Sequence, residues 1–334
     1  NSSANTIETS IRVFHYDFFF LLVGCTTNFF GNETIRQHSF TLKTTNDAIE
    51  IRNHILQTFE DIISAEEKDK AALLNLTIVG AGPTGVELAG AFAEIKKDIL
   101  PKDYPGINFA QFNINLIEGS NHTLNNMSPL AKAASAKYLE QLGVNIITET
   151  FVKNYDGLTL ELSNGNTLQS KAVIWAAGVI GNKIIGLPST AMKQGNRIAV
   201  NRTNLIESCQ NIYAIGDIAL METPKYPKGH PQLANVAINQ AKNLARNLKR
   251  QENNILQKEF EYTDLGSMAT IGRNKAVVDL PFYHFKGYFA WLVWMFLHLM
   301  LILSVRNKLI IFINWVWAYF TKDTSLRLIL KKKK

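Results

Sequence analysis

The sequence predicts an α/β protein built around a parallel sheet, and three observations predict it. Strand-like and helix-like segments alternate from Leu73 to about Leu187, and a strand at 76–79 runs straight into a glycine-rich turn and a helix. The composition, 334 residues that are 46% hydrophobic with two cysteines, is that of a folded globular chain of about two domains.

Each element has a local reason. Phe18 to Val23 is an apolar run stopped by Gly24, and a helical stretch from about Asn46 to Glu67 carries Ile49, Ile51, His54, Ile55, Phe59, Ile62 and Ile63 near helical spacing. The charged run Glu66 to Lys70 marks the next boundary. One full unit follows: strand Leu76–Val79, a helix to about Lys97, strand Phe112–Ile117, and a helix from Ser128 to Leu142. Ser128 caps that second helix, Pro129 opens it and Gly143 closes it. Asn164-Gly165 between alternating runs predicts a hairpin. Beyond Pro188 the pattern predicts a strand at Asn211–Ile215, a helix from about Pro231 to Lys249 and a β-like segment around Ser267–Leu280.

Charge and cysteines exclude several classes. Of the surplus of seven positive charges, four lie in the terminal run Lys331 to Lys334, so the body is nearly neutral and has no basic face for nucleic acid. Cys25 and Cys209 form no CxxC pair, which removes a redox dithiol and a cysteine-rich metal site; both read as buried small hydrophobes in a reducing compartment. From Tyr288 to Phe320 only Arg306 and Lys308 are charged, and four of the five tryptophans lie there. Tyr288 to Val305 would make a helix of about 27 Å, barely the thickness of a hydrocarbon core. The expected arrangement is two helices sunk in one leaflet beside the lysine tail, against a single span within 288–305, a core or dimer helix, or a solvated tail.

The chemistry is concentrated in LTIVGAGPTGVELAG, residues 76–90. Gly80, Gly82 and Gly85 satisfy GxGxxG between a strand and a helix: the first permits the tight turn, the second lets a pyrophosphate approach, and the third lets helix and strand pack. The helix N-terminus then holds the phosphates. Glu118 ends the next strand, where its carboxylate can accept from both ribose hydroxyls and would repel a 2′-phosphate, so NADH is favoured over NADPH. It lies 33 residues after Gly85 instead of the usual offset of about 20, owing to the loop Ile99–Ala110. NIYAIGDIA, residues 211–219, is a second strand ending in Gly-Asp, and PQLANVAINQ, residues 231–240, opens a helix after it.

Together these motifs resemble the two-dinucleotide-domain flavoprotein reductases, and within them the type II NADH dehydrogenases, single-chain non-pumping NADH:quinone oxidoreductases. YDFFFLLVGCTTNFFG at 16–31, IRNHIL at 51–56, DYPG at 103–106, LIEGS at 116–120 and VIWAAGV at 173–179 extend the resemblance in the family's order, from about residue 12 to about 280. It implies a Rossmann-like NAD domain inserted in an incomplete FAD-binding domain, followed by membrane-associated helices. The expected division is 1–45 as a remnant of the FAD domain, 46–72 as a linking helix, 73–187 as the NADH domain, 188–280 as the second FAD part and 281–334 as membrane attachment.

The resemblance also implies roles. Gly80, Ala81, Gly82, Pro83, Thr84, Gly85, Glu118, Ala177 and Gly178 would hold NADH. Gly216, Asp217, Gln232, Leu233 and Ala234 would hold the ribityl and ring side of FAD. Asn235 and Asn239, four apart, stand where the family has glutamines near the quinone headgroup, with polar packing as the other reading. Glu87, placed in the first helical turn, is a helix-dipole complement or a proton relay. Lys275 is a charge near quinone or a solvated strand end, and His230 and His298 are structural or proton donors.

One feature of the pattern is missing: no second GxGxxG occurs, so half of the family's flavin site has no counterpart, and Leu22, Val23 and Cys25 replace small or hydroxyl residues beside the flavin nucleotide. The chain starts at Asn1 and reads as a fragment, expected to hold FAD poorly and to turn over slowly by itself. The implied setting is the cytoplasmic face of the cell membrane, with a membrane quinone and the bilayer surface as partners and a homodimer left open. The rival readings are a membrane-attached NADH-binding remnant without activity and a soluble flavin reductase of another acceptor.

Overall fold

The structure, a computed structural model, describes residues 2–321. In chain order its helices are α1 (Glu33–His38), α2 (Thr45–Ser64), α3 (Glu67–Leu73), α4 (Pro83–Asp98), α5 (Leu100–Asp103), α6 (Pro129–Gln141), α7 (Ala234–Glu252), α8 (Tyr288–Leu301) and α9 (Val305–Thr321). The chain divides into two compact units, one formed by residues up to Asn28 with Val179–Asp264, the other by Phe29–Gly178 with the segment from Leu265 on. This division differs from the sequence-based one at both ends of the inserted unit. Residues 29–45 join it because strand Phe40–Thr41 pairs with Ala172–Trp175, and residues 265–280 join it because their hairpin packs on α4 and α6.

In the larger unit five parallel strands lie in the order Phe40–Thr41, Ala172–Trp175, Asn75–Val79, Asn113–Ile117, Val144–Ile147. The chain winds outward from Asn75–Val79 through α4 and α6, then returns to place Ala172–Trp175 on the opposite side. A topological switch point therefore opens at the carboxyl ends of these two strands, where α/β sheets bind ligands. Leu76, Ile78, Ile114, Leu116 and Ile174 are fully buried, as the continuous apolar runs of a sheet covered on both faces require. The expected helix at 46–67 is α2, held by a capping box between Thr44 and Asp47, with Ile51, Ile55, Phe59 and Ile62 buried. Ile63 is exposed, and His54 reaches the Lys171 carbonyl with Nε2 at 2.9 Å. The charged run read as a boundary folds into α3. Asn164-Gly165 does make the predicted hairpin, with Gly165 at φ +87°.

The segment expected as one β-like stretch is two strands, Ser267–Thr270 and Ala276–Leu280, extended by a third, Tyr283–Gly287. Asp279 ties it to α6, accepting from the Ser128 amide at 2.6 Å and hydroxyl at 2.7 Å. Ser128 also caps α6 as predicted. In the smaller unit, strands Phe19–Leu21 and Ile212–Ala214 pair in parallel, Cys25–Thr27 pairs with Val179–Gly181, and Ile198, Ile206, Ile212 and Met221 form the core. The helix expected from Pro231 starts three residues later, at Ala234.

The apolar C-terminal region forms α8 and α9, broken at 302–304. Among the described residues no helix is long and apolar enough to cross a membrane, which removes the single span within 288–305: α8 stops at Leu301 after 14 residues. The lysine tail lies outside the described residues.

Candidate functional site

The glycine turn sits at the switch point. Gly80 has φ +102°, and a Cβ there would lie 2.7 Å from the Ala176 carbonyl and 2.8 Å from the Ala177 Cα, so the returning strand end leaves room for glycine alone. A Cβ on Gly85 would fall 1.8 Å from the Gly80 oxygen, which is the close packing of turn against helix expected from the motif. Gly82 differs: nothing of the protein lies within 4 Å of its missing side chain, and the open side is a cavity of about 890 Å³. Gly80, Gly82, Pro83, Thr84, Glu118, Ala177 and Gly178 line that cavity. No side chain caps α4, so its first amides and the positive end of its dipole are left for an anion.

Ala81 is buried, and its amide donates to Glu118 Oε2 at 2.7 Å, so it supports the turn instead of meeting a ligand. Glu118 Oε1 accepts from the Ser120 amide at 2.8 Å. Each carboxylate oxygen keeps a further lone pair, which leaves Glu118 an acceptor at the cavity wall. Two exposed aromatics not singled out as site residues line the same cavity. Phe151 lies against Gly119, where a Cβ would meet its ring at 2.3 Å, and Phe30 lies near Gly178. Gly119 in LIEGS was the available signal for Phe151, legible only once the ring is seen beside it.

In the smaller unit Gly216 turns at φ +75°, its amide donating to Gln240 Oε1 at 2.8 Å. Gln240, the last residue of the PQLANVAINQ segment, is buried. Asp217 Oδ2 accepts from the Cys25 thiol at 3.0 Å, so Cys25 is more than a small hydrophobe, and Cys209 is only partly buried. Gln232 donates to the Asp217 carbonyl at 3.0 Å, and the Leu233 amide to the Pro231 carbonyl. Of Gln232, Leu233 and Ala234, expected on the FAD side, only Ala234 belongs to α7, whose N-terminus no side chain caps. This set fits the ribityl and ring side of FAD: an acceptor carboxylate, a left-handed glycine turn and an uncapped helix of 19 residues. The second glycine motif that would hold the adenine-side phosphates has no counterpart in the sequence. Asn235 and Asn239 do share a face, Asn239 Nδ2 donating to Asn235 Oδ1 at 3.2 Å.

Glu87 lies in the second turn of α4, not the first, since the helix starts at Pro83; a dipole role is correspondingly weak. Its Oε1 accepts from the Thr270 amide at 3.2 Å, and burial raises its pKa, opposed by that bond and by His298 and Trp294 of α8. Lys275 instead donates to Gln141 Oε1 at 3.2 Å, its ammonium 5.3 Å from the Tyr138 ring centroid. His230 is buried in an aromatic box of Tyr226, Phe260 and Tyr262, 3.4 Å from Glu261, and burial lowers its pKa.

Switch point, glycine turn and open cavity define a dinucleotide-binding α/β protein. The family model of the pyridine nucleotide-disulphide oxidoreductases matches residues 6–241, and that of the NDH2 C-terminal domain matches residues 265–322. The type II NADH:quinone oxidoreductase of Mycobacterium tuberculosis is 30% identical over 318 residues, covering 92% of this chain and 67% of the relative. That of Staphylococcus aureus is 28% identical, covering 82% and 68%. The internal alternative NAD(P)H-ubiquinone oxidoreductase of Solanum tuberosum mitochondria is 29% identical, covering 93% and 66%. The chain thus spans about two thirds of the length of these relatives. The structure of NDH2 from Plasmodium falciparum in complex with NADH is similar with a TM-score of 0.87 at 21% identity, covering 99% of this chain and 83% of that one. The chain belongs to the pyridine nucleotide-disulphide oxidoreductases, in their type II NADH:quinone oxidoreductase branch.

Proposed function

We propose that the chain acts as a non-electrogenic, FAD-dependent NADH:quinone oxidoreductase. The observation that carries this is the open cavity beside Gly82, walled by Glu118 and the uncapped start of α4, in a chain whose relatives bear that activity in their names. The pyrophosphate of NADH docks on the Gly82 and Thr84 amides, Pro83 between them having no N–H, and Glu118 accepts from the ribose hydroxyls. Asp217, the Gly216 turn and the α7 N-terminus hold the ribityl chain and ring of FAD. When bound, FAD supplies the chemistry that converts a two-electron hydride donor into a reductant for quinone. Asn235 and Asn239 offer amide donors to a quinone headgroup, and burial, which raises the pKa of Glu87, makes that carboxyl a candidate proton carrier.

The bilayer surface is the second partner. Phe289, Phe296, Leu301, Leu303, Ile313 and Phe320 of α8, α9 and their joint are more than half exposed, a patch that water does not favour and a single leaflet does. The cytoplasmic face of the cell membrane is where such a pair would meet NADH.

The test is to supply the protein with FAD, mix it anaerobically with NADH, follow flavin absorbance, and then add a soluble quinone. Bleaching followed by recovery is expected. NADH binding without bleaching would leave an NADH-binding module and overturn the reading.

A further inference from the structure

We propose that Phe151 is the platform on which the purine of the dinucleotide lies, and that the base is held by its face and not by its edge. The site therefore separates dinucleotide from mononucleotide donors without separating adenine from other purines. This rests on the reading of the cavity beside Gly82 as the place where NADH docks, and it assigns the base end of that cavity.

The position of the base follows from Glu118. A carboxylate that accepts from the ribose hydroxyls keeps the base, carried on the same ribose, close beside it. The next residue is Gly119, and the Phe151 ring rests so near it that a Cβ there would overlap the ring. The backbone ties the two sides together, since the Thr150 amide donates to the Glu118 carbonyl at 3.0 Å. Phe30, the other exposed aromatic of the cavity, lies at the opposite end: it is near Gly178, which follows strand Ala172–Trp175, whereas Glu118 follows strand Asn113–Ile117. Strand Asn75–Val79 runs between those two, which sets them about 10 Å apart.

The ring is fixed in place before any ligand arrives. The Phe151 amide donates to Ser163 Oγ at 2.9 Å, and its carbonyl accepts from the Ser163 amide at 2.8 Å. With its backbone pinned on both sides, the residue is still 64% exposed at the cavity wall. A platform that needs no ordering on binding loses little of what the contact contributes.

A phenyl ring offers a base no hydrogen bond, and stacking tolerates any base because every base has a π-face. The hydroxyls on either neighbour have given their hydrogens elsewhere: Thr150 donates to the Thr148 carbonyl at 2.9 Å and Ser120 to the His122 carbonyl at 3.0 Å. Gly119 has no side chain, and that of Val152 is apolar. Asn126 belongs with the glycine turn, two residues after Leu124, whose amide donates to the Ala81 carbonyl at 2.8 Å. The wall around Phe151 thus presents a surface to lie on and no set of donors aimed at a purine edge.

The test needs no flavin: titrate the full chain with NADH, with its hypoxanthine and guanine analogues and with reduced nicotinamide mononucleotide, following nicotinamide fluorescence. Compare wild type with Phe151→Ala, Phe151→Leu and Phe151→Trp; leucine keeps the apolar bulk and guards against a loss of fold. Wild type is expected to bind the three dinucleotides within about threefold of one another and the mononucleotide far more weakly. Alanine and leucine should each weaken all three dinucleotides by about 5- to 100-fold and leave the mononucleotide unchanged, and tryptophan should restore them. Unchanged NADH affinity in the folded alanine and leucine variants would overturn the inference, and so would a wild-type preference of about tenfold or more for NADH over the hypoxanthine analogue. A wild type that binds none of the four would sink the NADH reading along with it. Dinucleotide binding that follows Phe151, in FAD-supplied protein whose flavin never bleaches, would uphold the platform and sink the oxidoreductase reading alone.

Discussion

The carboxylate of Glu118 accepts from the Ala81 and Ser120 amides, and each oxygen keeps a lone pair for a ribose hydroxyl. Glu118→Ala should weaken NADH binding by about 10- to 100-fold, because hydrogen bonds to a charged acceptor are worth about 1.5–3 kcal/mol. NADPH binding, disfavoured by the same charge, should change little; a tryptophan-fluorescence titration showing equal losses for both would refute the assignment. The two later glycines of the turn should separate fold from ligand. Gly82→Ala meets open space, so it should keep the melting temperature and lose NADH affinity, whereas Gly85→Ala drives a methyl into the Gly80 oxygen and should lower stability by at least about 1–3 kcal/mol. Glu87 carries a pH dependence of definite sign. Burial raises its folded pKa, so between the ordinary value and the raised one the folded state keeps a proton that the unfolded chain has released. Stability therefore falls as pH rises through that window. Glu87→Gln should melt like wild type in acid and at a higher temperature near neutrality; the same melting curve at both pH values would contradict this. The glycines and Glu118 were legible because a tight turn and a strand end have local signatures. Phe151 and Phe30 were not, since an aromatic side chain in a loop gives no sign of what it will cover.

At the scale of elements, α4 and α6 follow from proline at their first position and the apolar strands before them, and α6 ends where Gly143 turns to φ +78°. The start of α7 moved because the stretch from Pro231 to Leu233 is taken up in bonds to Asp217 and to itself, which periodicity cannot register. In the C-terminal region the two expected helices form as α8 and α9, and the structure sets their break a few residues earlier than the charged pair Arg306 and Lys308. The break at 302–304 is what turns one candidate span into two shorter helices with outward-facing Leu301 and Leu303. Replacing Phe296 and Leu303 by aspartate should reduce pelleting with anionic liposomes by about tenfold or more, since each buried methylene contributes about 0.8 kcal/mol and a charge in the leaflet adds a penalty. Unchanged pelleting at high salt would mean that another surface makes the attachment.

For the whole molecule, the pairing of Phe19–Leu21 with Ile212–Ala214 and of Cys25–Thr27 with Val179–Gly181 builds one unit from two distant segments, with the nucleotide-binding unit encoded between them. Closing such a long loop costs entropy that grows only slowly with its length, so the interrupted arrangement is thermodynamically accessible. By itself the sequence determined the α/β class, the strand–turn–helix with its three glycines, the Gly-Asp strand, the hairpin at Asn164-Gly165 and the apolar C-terminal region. Each of these is a statement about neighbours along the chain, where periodicity, proline and glycine act through the backbone. Only the tertiary structure decided that Ala176 and Ala177 press on Gly80, that residues 29–45 and 265–280 join the nucleotide unit, and that Glu87 accepts from the Thr270 amide. Those contacts join residues tens to hundreds of positions apart, and they arise from packing and desolvation between elements, which leave no pattern within any one of them.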